Sequence, residues 1–270
     1  MVGLLGFLGH ARPRLRTAYE EDLQRRKGRP PASPPISDAD LARLPAPVQR
    51  YLRRVGVVGH PRVSNFHVRM HGRFRSGPRG RWMPFTAEQY NFIDEPARLF
   101  YMRVAMFGVP VHGYHRYVGP AATMDIRIGG LIPVVHAAGD EMNRSETVTF
   151  FNDMCVMAPA TLLAASVTWE LVDDRIARAT FSNAGHVIHA ELTFNEAGEL
   201  TDFSSADRFQ LSADGKSARK VRWSTPVAGY RTYGPFCLTS GGEARWHDRE
   251  GDWAYIELTL DDVRYNVTSR

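Results

Sequence analysis

One polar stretch, GDEMNRSETVTFFNDM at residues 139–154, places charged side chains directly before an apolar segment. If residues 145–155 form a helix that its first residue, a serine, caps, then Asp140, Glu141 and Arg144 lie at its entrance. These side chains could form a polar wall that orients the head of a ligand, and Glu141 could then act as an acid or a base. They could equally be a surface ion pair at a capped helix start, worth under roughly 1 kcal/mol.

Glu88 is the second carboxylate that could do acid–base chemistry. A strand would place it on one face with Trp82 and Tyr90. A carboxyl group among aromatic rings holds its proton more tightly than one in water and could act as a general acid or base. The alternative is an ion pair between Glu88 and an arginine of a neighbouring strand, such as Arg103.

Metal, nucleotide and nucleic-acid sites are not indicated. His112 and His115 are three residues apart, so a strand directs them to opposite faces, and no third ligand has a suitable spacing. The sequence contains neither a glycine-rich phosphate-binding loop nor a Gly-x-Ser-x-Gly nucleophile motif. Aromatic residues are not interleaved with a basic stripe. We therefore expect no metal, no cofactor and no nucleic-acid partner.

Period-two alternation from residue 63 onward predicts the elements that position these residues. The candidate strands are residues 63–74, 82–93, 98–107, 113–118, 122–128, 131–137, 167–172, 175–182, 185–194, 199–209, 218–226, 242–248 and 253–265. Short turn signals such as Asn195-Glu-Ala-Gly198 join several of them. No helix alternates with the strands, which favours an antiparallel meander over a parallel sheet.

Both faces of these strands carry apolar or aromatic side chains. In the second strand, Trp82 and Tyr90 share one face, and Met83 and Phe85 share the other. A sheet with one face in water would alternate more cleanly. The predicted fold is therefore mainly β, a strongly curved antiparallel sheet or incomplete β-barrel over residues 63–267. N-terminal helices precede the sheet, and a helical plug or lid at residues 145–165 lies in its concavity.

Two segments precede the predicted β domain. Residues 1–35 combine a basic helix, over residues 14–27, with a proline-rich linker. Residues 36–62 contain an amphipathic helix, over residues 38–56, that should pack on an end or edge of the sheet.

Basic charge is concentrated in these segments. Residues 1–62 carry 12 Lys and Arg against 5 Asp and Glu, whereas residues 63–270 carry 22 against 24. A basic end is typical of a solvated helix or of a segment that contacts a membrane surface or another acidic partner.

The cysteine content and the N-terminus bear on the compartment. Cys155 and Cys237 are too few for a disulfide framework and favour a reducing compartment, although a single disulfide stays open. The apolar stretch Val2–Gly9 is too short to span a bilayer and lacks the features of a signal peptide. We expect a cytoplasmic protein whose residues 1–27 could contact the inner face of the membrane.

Several stretches together resemble a family of bacterial proteins of unknown function. They are Leu44-Pro-Ala-Pro-Val-Gln-Arg-Tyr-Leu52, Arg81-Trp-Met-Pro-Phe-Thr-Ala-Glu-Gln89, Gly130-Leu-Ile-Pro-Val-Val135, and Trp169 followed by Ala177-Arg-Ala-Thr180. The resemblance covers roughly residues 40–265. The motif Trp-x-Pro-Phe-x-Ala-Glu-Gln is its most specific part.

The resemblance implies neither catalytic residues nor a cofactor. Within the segment 145–153, Glu146 matches the family pattern, but Thr149 stands where an arginine is usual and Asp153 where a glutamate is usual. The resemblance therefore does not imply a shared ion pair at this helix. In outline the family is similar to periplasmic lipoprotein carriers, and this likeness implies a half-open β-barrel lidded by helices.

Three functions are compatible with these observations. The first is binding of a hydrophobic or amphiphilic small molecule, such as a lipid, in the concave face of the sheet. Its predicted contacts are Trp82, Phe85, Tyr101, Met124, Phe151 and Trp169 for the apolar part and Glu88, Arg103, Glu141 and Arg144 for the polar end. The second is a small-molecule enzyme, such as an isomerase, cyclase or hydrolase, that uses Glu88 or Glu141. The third is a structural partner docked on the inner membrane face through residues 1–27.

Overall fold

The computed structural model describes residues 14–26, 34–106, 108–212 and 217–268. The apolar stretch Val2–Gly9 and most of the predicted linker lie outside the described residues. Membrane contact through the start of the chain therefore stays a prediction.

Sixteen strands are described, and fourteen of them form one antiparallel sheet. They are β1 (Asn65–Phe74), β2 (Met83–Phe92), β3 (Ala97–Met106), β4 (Val109–Val118), β5 (Ala121–Ile128), β6 (Ile132–Ala138), β7 (Val167–Leu171), β8 (Ile176–Asn183), β9 (His186–Phe194), β10 (Leu200–Ser205), β11 (Phe209–Leu211), β12 (Ala218–Lys220), β13 (Arg222–Ser224), β14 (Val227–Tyr233), β15 (Phe236–Asp248) and β16 (Gly251–Tyr265). The order across the sheet is β6-β5-β4-β3-β2-β1-β16-β15-β13-β10-β9-β8-β7, with β14 paired to β15. The separate pair is β11 with β12. The prediction of a mainly β, antiparallel and open architecture is confirmed.

The predicted strands differ from the observed ones at the C-terminal side of the sheet. The predicted strand 199–209 divides between β10 and β11, which belong to different sheets. β15 begins at Phe236 rather than at residue 242, and β14 was missed. Most side chains of β14 are exposed or half-buried, so its sequence lacks the apolar alternation that marks a half-buried strand.

Four helices are described, namely α1 (Leu15–Gln24), α2 (Asp38–Leu41), α3 (Ala46–Val55) and α4 (Asp140–Met157), and a 3-10 turn (Pro159–Leu163) follows α4. The prediction of one helix over residues 38–56 is wrong, because α2 ends at Leu41 and a second helix, α3, begins after Pro45. Proline has no N–H to donate within a helix but fits its first turn. α3 contacts β8 and β15, and it ends where Gly56 takes a φ of 84°, which a residue without a β-carbon adopts readily.

α4 begins five residues before the position predicted for it. Asp140 and Glu141 occupy its first turn, where negative charge suits the helix dipole, and Gly139 precedes them with a φ of 106°. Ser145 is therefore not a cap. It is buried within the helix, and its Oγ accepts a hydrogen bond from the N–H of Phe209 at 3.0 Å. From Ser145 to Met157 every residue of α4 is buried, as predicted for a helix that fills a β container.

The sheet curves around α4, which contacts β5 and β6 near one edge and β9 and β10 near the other. We call this face of the sheet the inner face. α1 lies on the opposite, outer face against β3 and β4. Near α1, β3 and β4 therefore distribute their side chains between two covered surfaces.

Candidate functional site

Strand alternation decides which polar residues meet α4. On β2, Gln89 and Asn91 are fully buried on the inner face, whereas Glu88 faces α1. On β3, Arg98 is 6% exposed and shares the inner face with Phe100. The inner face thus carries amide and guanidinium groups opposite the polar side of α4 where β2 and β3 pass beneath it.

A buried polar cluster joins β2 and β3 to α4. Arg98 donates from Nε to Asp153 Oδ2 at 2.7 Å, from Nη1 to Glu146 Oε2 at 3.1 Å, and from Nη2 to Gln89 Oε1 at 3.0 Å. Gln89 Nε2 and Asn91 Nδ2 also donate to Asp153 Oδ2, at 2.8 and 3.2 Å. Since all five side chains are buried and bonded to one another, the cluster fixes α4 to the sheet and forms a polar floor.

The two carboxylates of this cluster have different acid–base properties. Burial alone would raise the pKa of Glu146, but Arg98 and then His115 outweigh it and hold the pKa at about 2. His115 Nδ1 lies 3.3 Å from Glu146 Oε1. Burial raises the pKa of Asp153, against the attraction of Arg98. Glu146 therefore stays ionised, and Asp153 is the carboxyl group of the pair that takes up a proton first.

An apolar cavity of about 440 Å³ lies between the inner face and the start of α4. Met102, Val104 and Ile126 represent its lining, and the exposed Glu141 lies at its rim. A second cavity of about 160 Å³ lies over Asp153 and Trp223. Since buried residues such as Asp153 line it, we call it the deeper cavity. Six residues line both cavities, which therefore adjoin: Phe100, His115, Glu146, Arg208, Tyr255 and Ile256.

Most methionines of the chain line these cavities. Those that line the larger cavity are Met83, Met102, Met106, Met124 and Met142, and those that line the deeper one are Met70 and Met157. They are seven of the nine methionines in the chain. Because the methionine side chain is unbranched and polarizable, such walls adapt to occupants of different shape.

Three of the predicted contact residues lie at these cavities. Phe85 lines the deeper cavity, and Met124 and Glu141 line the larger one. Arg144 is close by in sequence, but its Nη2 pairs with Asp207 Oδ1 at 3.1 Å and the residue does not line either cavity.

Four other predicted contact residues line neither cavity. Glu88 lies on the outer face, where it pairs with Arg16 Nη1 at 2.9 Å and with His67 Nε2 at 3.2 Å rather than with Arg103. Tyr101 stacks on Tyr19 of α1, and its neighbour on the same face, Arg103, is exposed. The ring of Trp82 lies under the guanidinium groups of two arginines, Arg73 and Arg75. Both faces of the strands carry aromatic residues, so their pattern alone did not identify the inner one.

Phe151 and Trp169 belong to other surroundings. Phe151 is fully buried and stacks on Phe181 at 4.9 Å between ring centroids, on the side of α4 away from the cavities. Trp169 lines an open polar recess with Arg178 and His189. Phe151 is thus a core residue.

Sequence reasoning missed Gln89 and Arg98 of the polar floor, and it missed Arg208, which lines both cavities. A usable signal existed for two of them. Gln89 alternates with Phe85 and Ala87 on one strand face, and Arg98 alternates with Phe100. A polar side chain on an otherwise apolar face indicates a buried, paired group. Arg208 lies in the segment between β10 and β11, and no comparable pattern marks it.

Other chemistry is limited within the described residues. His112 and His115 do point to opposite faces, toward Tyr101 and Glu146 respectively. No group of three His, Cys, Asp or Glu side chains in the described part of the chain could hold a metal ion. Cys155 and Cys237 are both free thiols.

Three described basic residues in α1 or directly after it contact the protein itself. Arg16 pairs with Glu20 and Glu88, Arg25 pairs with Glu21 and Asp22, and Arg26 donates to the carbonyl oxygen of Glu95. No helix of the described residues combines the length and the apolar character that a membrane crossing requires.

Comparison with known proteins assigns the sequence to a family and also finds solved structures that are similar to it, of which two are described. Residues 34–258 match the Family of unknown function (DUF6544). A LolA superfamily protein from Nitrosomonas europaea is 11% identical, with coverage of 83% of this chain and 97% of that one and a TM-score of 0.47. A DUF1329 family protein from Desulfovibrio piger is 12% identical, with coverage of 83% and 94% and a TM-score of 0.45. No protein of curated function matches the sequence.

Proposed function

This chain belongs to the DUF6544 family of unknown function, and from its cavity we propose that it binds a hydrophobic or amphiphilic small molecule between the inner face of the sheet and α4. The observation that carries the proposal is the methionine-lined apolar cavity of about 440 Å³. Pockets for small molecules typically occupy about 300–1,000 Å³ and combine apolar walls with a few polar groups.

The walls of the cavity are apolar and its inner end is charged, as a site for an amphiphile requires. Met102, Val104 and Ile126 offer apolar contact, whereas Glu146 and Arg208 offer charge at the inner end. Val134 lines the cavity and is 57% exposed, so the cavity reaches the protein surface beside β6. A chain could enter there with its polar end first.

The free-energy cost of association sets a minimum length for the hydrocarbon chain of the ligand. Each buried methylene contributes about 0.8 kcal/mol. Association costs roughly 4–15 kcal/mol before any contact contributes. A chain of about ten methylenes contributes about 8 kcal/mol, which offsets only the lower half of this range, so shorter chains need a strong polar contact. We expect ligands with long hydrocarbon chains.

Two tests address the proposal. Solvent extraction of the purified protein followed by mass spectrometry should recover an amphiphile. A fluorescent apolar probe should bind to the wild-type protein and be displaced by 1-dodecanol. The absence of any extracted amphiphile, together with no probe binding and no rise in melting temperature with dodecanol, would contradict the proposal.

A matched pair of substitutions locates the binding site. Gly113 of β4 lines the cavity, and a β-carbon there would meet only Met102 Cε at 3.9 Å, so Gly113→Leu should fill the cavity without strain. Ala105 of β3 is exposed on the outer face, so Ala105→Leu adds a comparable bulk outside the cavity. We expect probe affinity to fall at least about 10-fold in Gly113→Leu and to stay unchanged in Ala105→Leu. Equal affinities would place the probe elsewhere.

A further inference from the structure

Two arginines line the deeper cavity, and only Arg208 also lines the larger one. Their hydrogen-bonding states differ. Arg98 bonds to Asp153, Glu146 and Gln89 through its three nitrogen atoms. Arg208 donates from Nη1 to the hydroxyl oxygen of Thr149 at 2.9 Å, and its buried Nε has no hydrogen-bond partner. A guanidinium group has five N–H donors, so most of the donor capacity of Arg208 is unused.

Arg208 is held in place although it has no ion pair with a carboxylate of the described residues. Its guanidinium carbon lies 4.3 Å from the ring centroid of Trp223 and 5.6 Å from that of Trp246. Its carbonyl oxygen accepts a hydrogen bond from the N–H of Val221 at 3.0 Å. Stacking on indole rings stabilises a cation by about 0.5–2 kcal/mol but leaves its N–H donors unsatisfied.

The neighbouring acid does not satisfy Arg208 either. Glu146 bonds through Oε2 to Arg98 and through Oε1 to His115. Its charge acts on Arg208 only through space. A buried N–H donor without an acceptor costs free energy. A ligand that supplies the acceptor removes this cost, and its binding is strengthened accordingly.

We propose that Arg208 receives the carboxylate of a single-chain amphiphile whose hydrocarbon chain fills the methionine-lined cavity. This inference rests on the proposed binding function and specifies the chemical class of the ligand. A carboxylate matches the planar, forked donors of a guanidinium group. Ionised Glu146 would repel a doubly charged phosphate ester more strongly than a singly charged carboxylate, and a neutral head would leave the arginine charge uncompensated. The cavity volume, at the lower end of the usual range for ligand pockets, suits one chain rather than two.

The test compares three probes with the same chain, dodecanoate, 1-dodecanol and dodecyl phosphate, by displacement of a fluorescent apolar probe at pH 7.5. The wild-type protein should prefer dodecanoate over dodecanol by roughly 10-fold or more. Arg208→Gln should weaken dodecanoate binding by roughly 10- to 100-fold and leave dodecanol binding within about 3-fold. Arg222→Gln, which removes an exposed arginine of β13, should change neither affinity.

Each other outcome overturns a defined part of the proposal. Equal loss of dodecanoate and dodecanol in Arg208→Gln would make the arginine a support of the cavity wall. Tighter binding of dodecyl phosphate would replace the carboxylate by a phosphate head. Dodecanol binding without a preference for dodecanoate would overturn this inference alone, whereas no binding of any probe would overturn the proposed function as well.

A second variant guards against misfolding of Arg208→Gln. Arg208→Lys keeps the charge but lacks the forked donors, so it should fold and reduce the preference for dodecanoate by several-fold. An unchanged preference in Arg208→Lys together with an unfolded Arg208→Gln would contradict the assignment of bidentate carboxylate recognition.

Discussion

The two faces of the sheet are each covered by a helix, and each helix joins the sheet through arginine–carboxylate contacts. On the inner face, Arg98 and Glu146 have side chains only 8% and 2% exposed. On the outer face, the paired side chains of Arg16 and Glu88 are 38% and 16% exposed. The same residue types therefore form a desolvated cluster under α4 and a partly hydrated one under α1.

The packing of the two faces differs as well. Under α1, Tyr19 stacks on Tyr101 and meets Tyr114 edge-on, and the aromatic rings fill the space between helix and sheet. Under α4, flexible methionines line open volume. Aromatic rings thus fill the outer contact, while the inner contact leaves open volume.

Loss of the inner arginine should have the largest effect on stability. Arg98→Met leaves Glu146 and Asp153 buried without their cation, which we expect to lower the free energy of unfolding by about 3–5 kcal/mol. Arg16→Met on the outer face should lower it by less than about 1 kcal/mol, since water screens that pair. Urea denaturation at pH 7 measures both.

The neutralised cluster serves as the control for this comparison. Adding Glu146→Gln and Asp153→Asn to Arg98→Met removes the uncompensated charges and should restore part of the lost stability. Equal losses in the two arginine variants would mean that burial does not distinguish the two faces.

Acid should weaken the inner contact next. The pKa of Glu146 falls from 4.5 to about 2 on folding, so this group stabilises the folded state above pH 4.5, and the stabilisation is lost as the pH falls toward 2. The shift corresponds to about 3 kcal/mol. The difference in unfolding free energy between the wild-type protein and Glu146→Gln should therefore shrink between pH 6 and pH 3. A difference that does not depend on pH would show that the Glu146 carboxylate is not stabilised by Arg98 and His115.

The contrast between the faces also explains what the sequence could reveal. Period-two alternation was enough to predict an open antiparallel sheet, and apolar residues on both sides of 145–155 were enough to predict a buried helix. The family resemblance was confirmed by the match over residues 34–258. These features depend on local pattern.

The site depends on contacts between residues distant in the chain. Glu88 and Gln89 are adjacent, and nothing local indicates that α1 covers the first and α4 the second. Arg208 meets Thr149 across 59 positions. Its position is set by the turn between β10 and β11, where the predicted strand 199–209 was continued too far. The single-domain organisation over residues 63–267 stays a prediction.

Hydroxyl deletions should reproduce the contrast on a smaller scale. Tyr117 Oη, fully buried on the inner face, lies 2.8 Å from Thr147 Oγ1 and accepts from Asn183 Nδ2 at 2.6 Å. Tyr117→Phe should therefore destabilise the fold by about 1–3 kcal/mol. Tyr114→Phe on the outer face leaves Asp22 bonded to Arg116, so it should cost about 1 kcal/mol or less. A larger loss of stability in Tyr114→Phe than in Tyr117→Phe, measured by thermal or urea unfolding, would contradict the view that buried hydrogen bonds matter more on the inner face.

Glu88→Gln should have the smallest effect and tests one of the two residues that the sequence offered as an acid or base. The substitution keeps the shape of the side chain and weakens its pairs with Arg16 and His67, which we expect to cost less than about 1 kcal/mol of unfolding free energy. Probe affinity should not change, because the whole thickness of the sheet separates Glu88 from the cavity. A large loss of affinity together with intact stability would show that the outer face communicates with the cavity, and the two faces could then no longer be treated as independent.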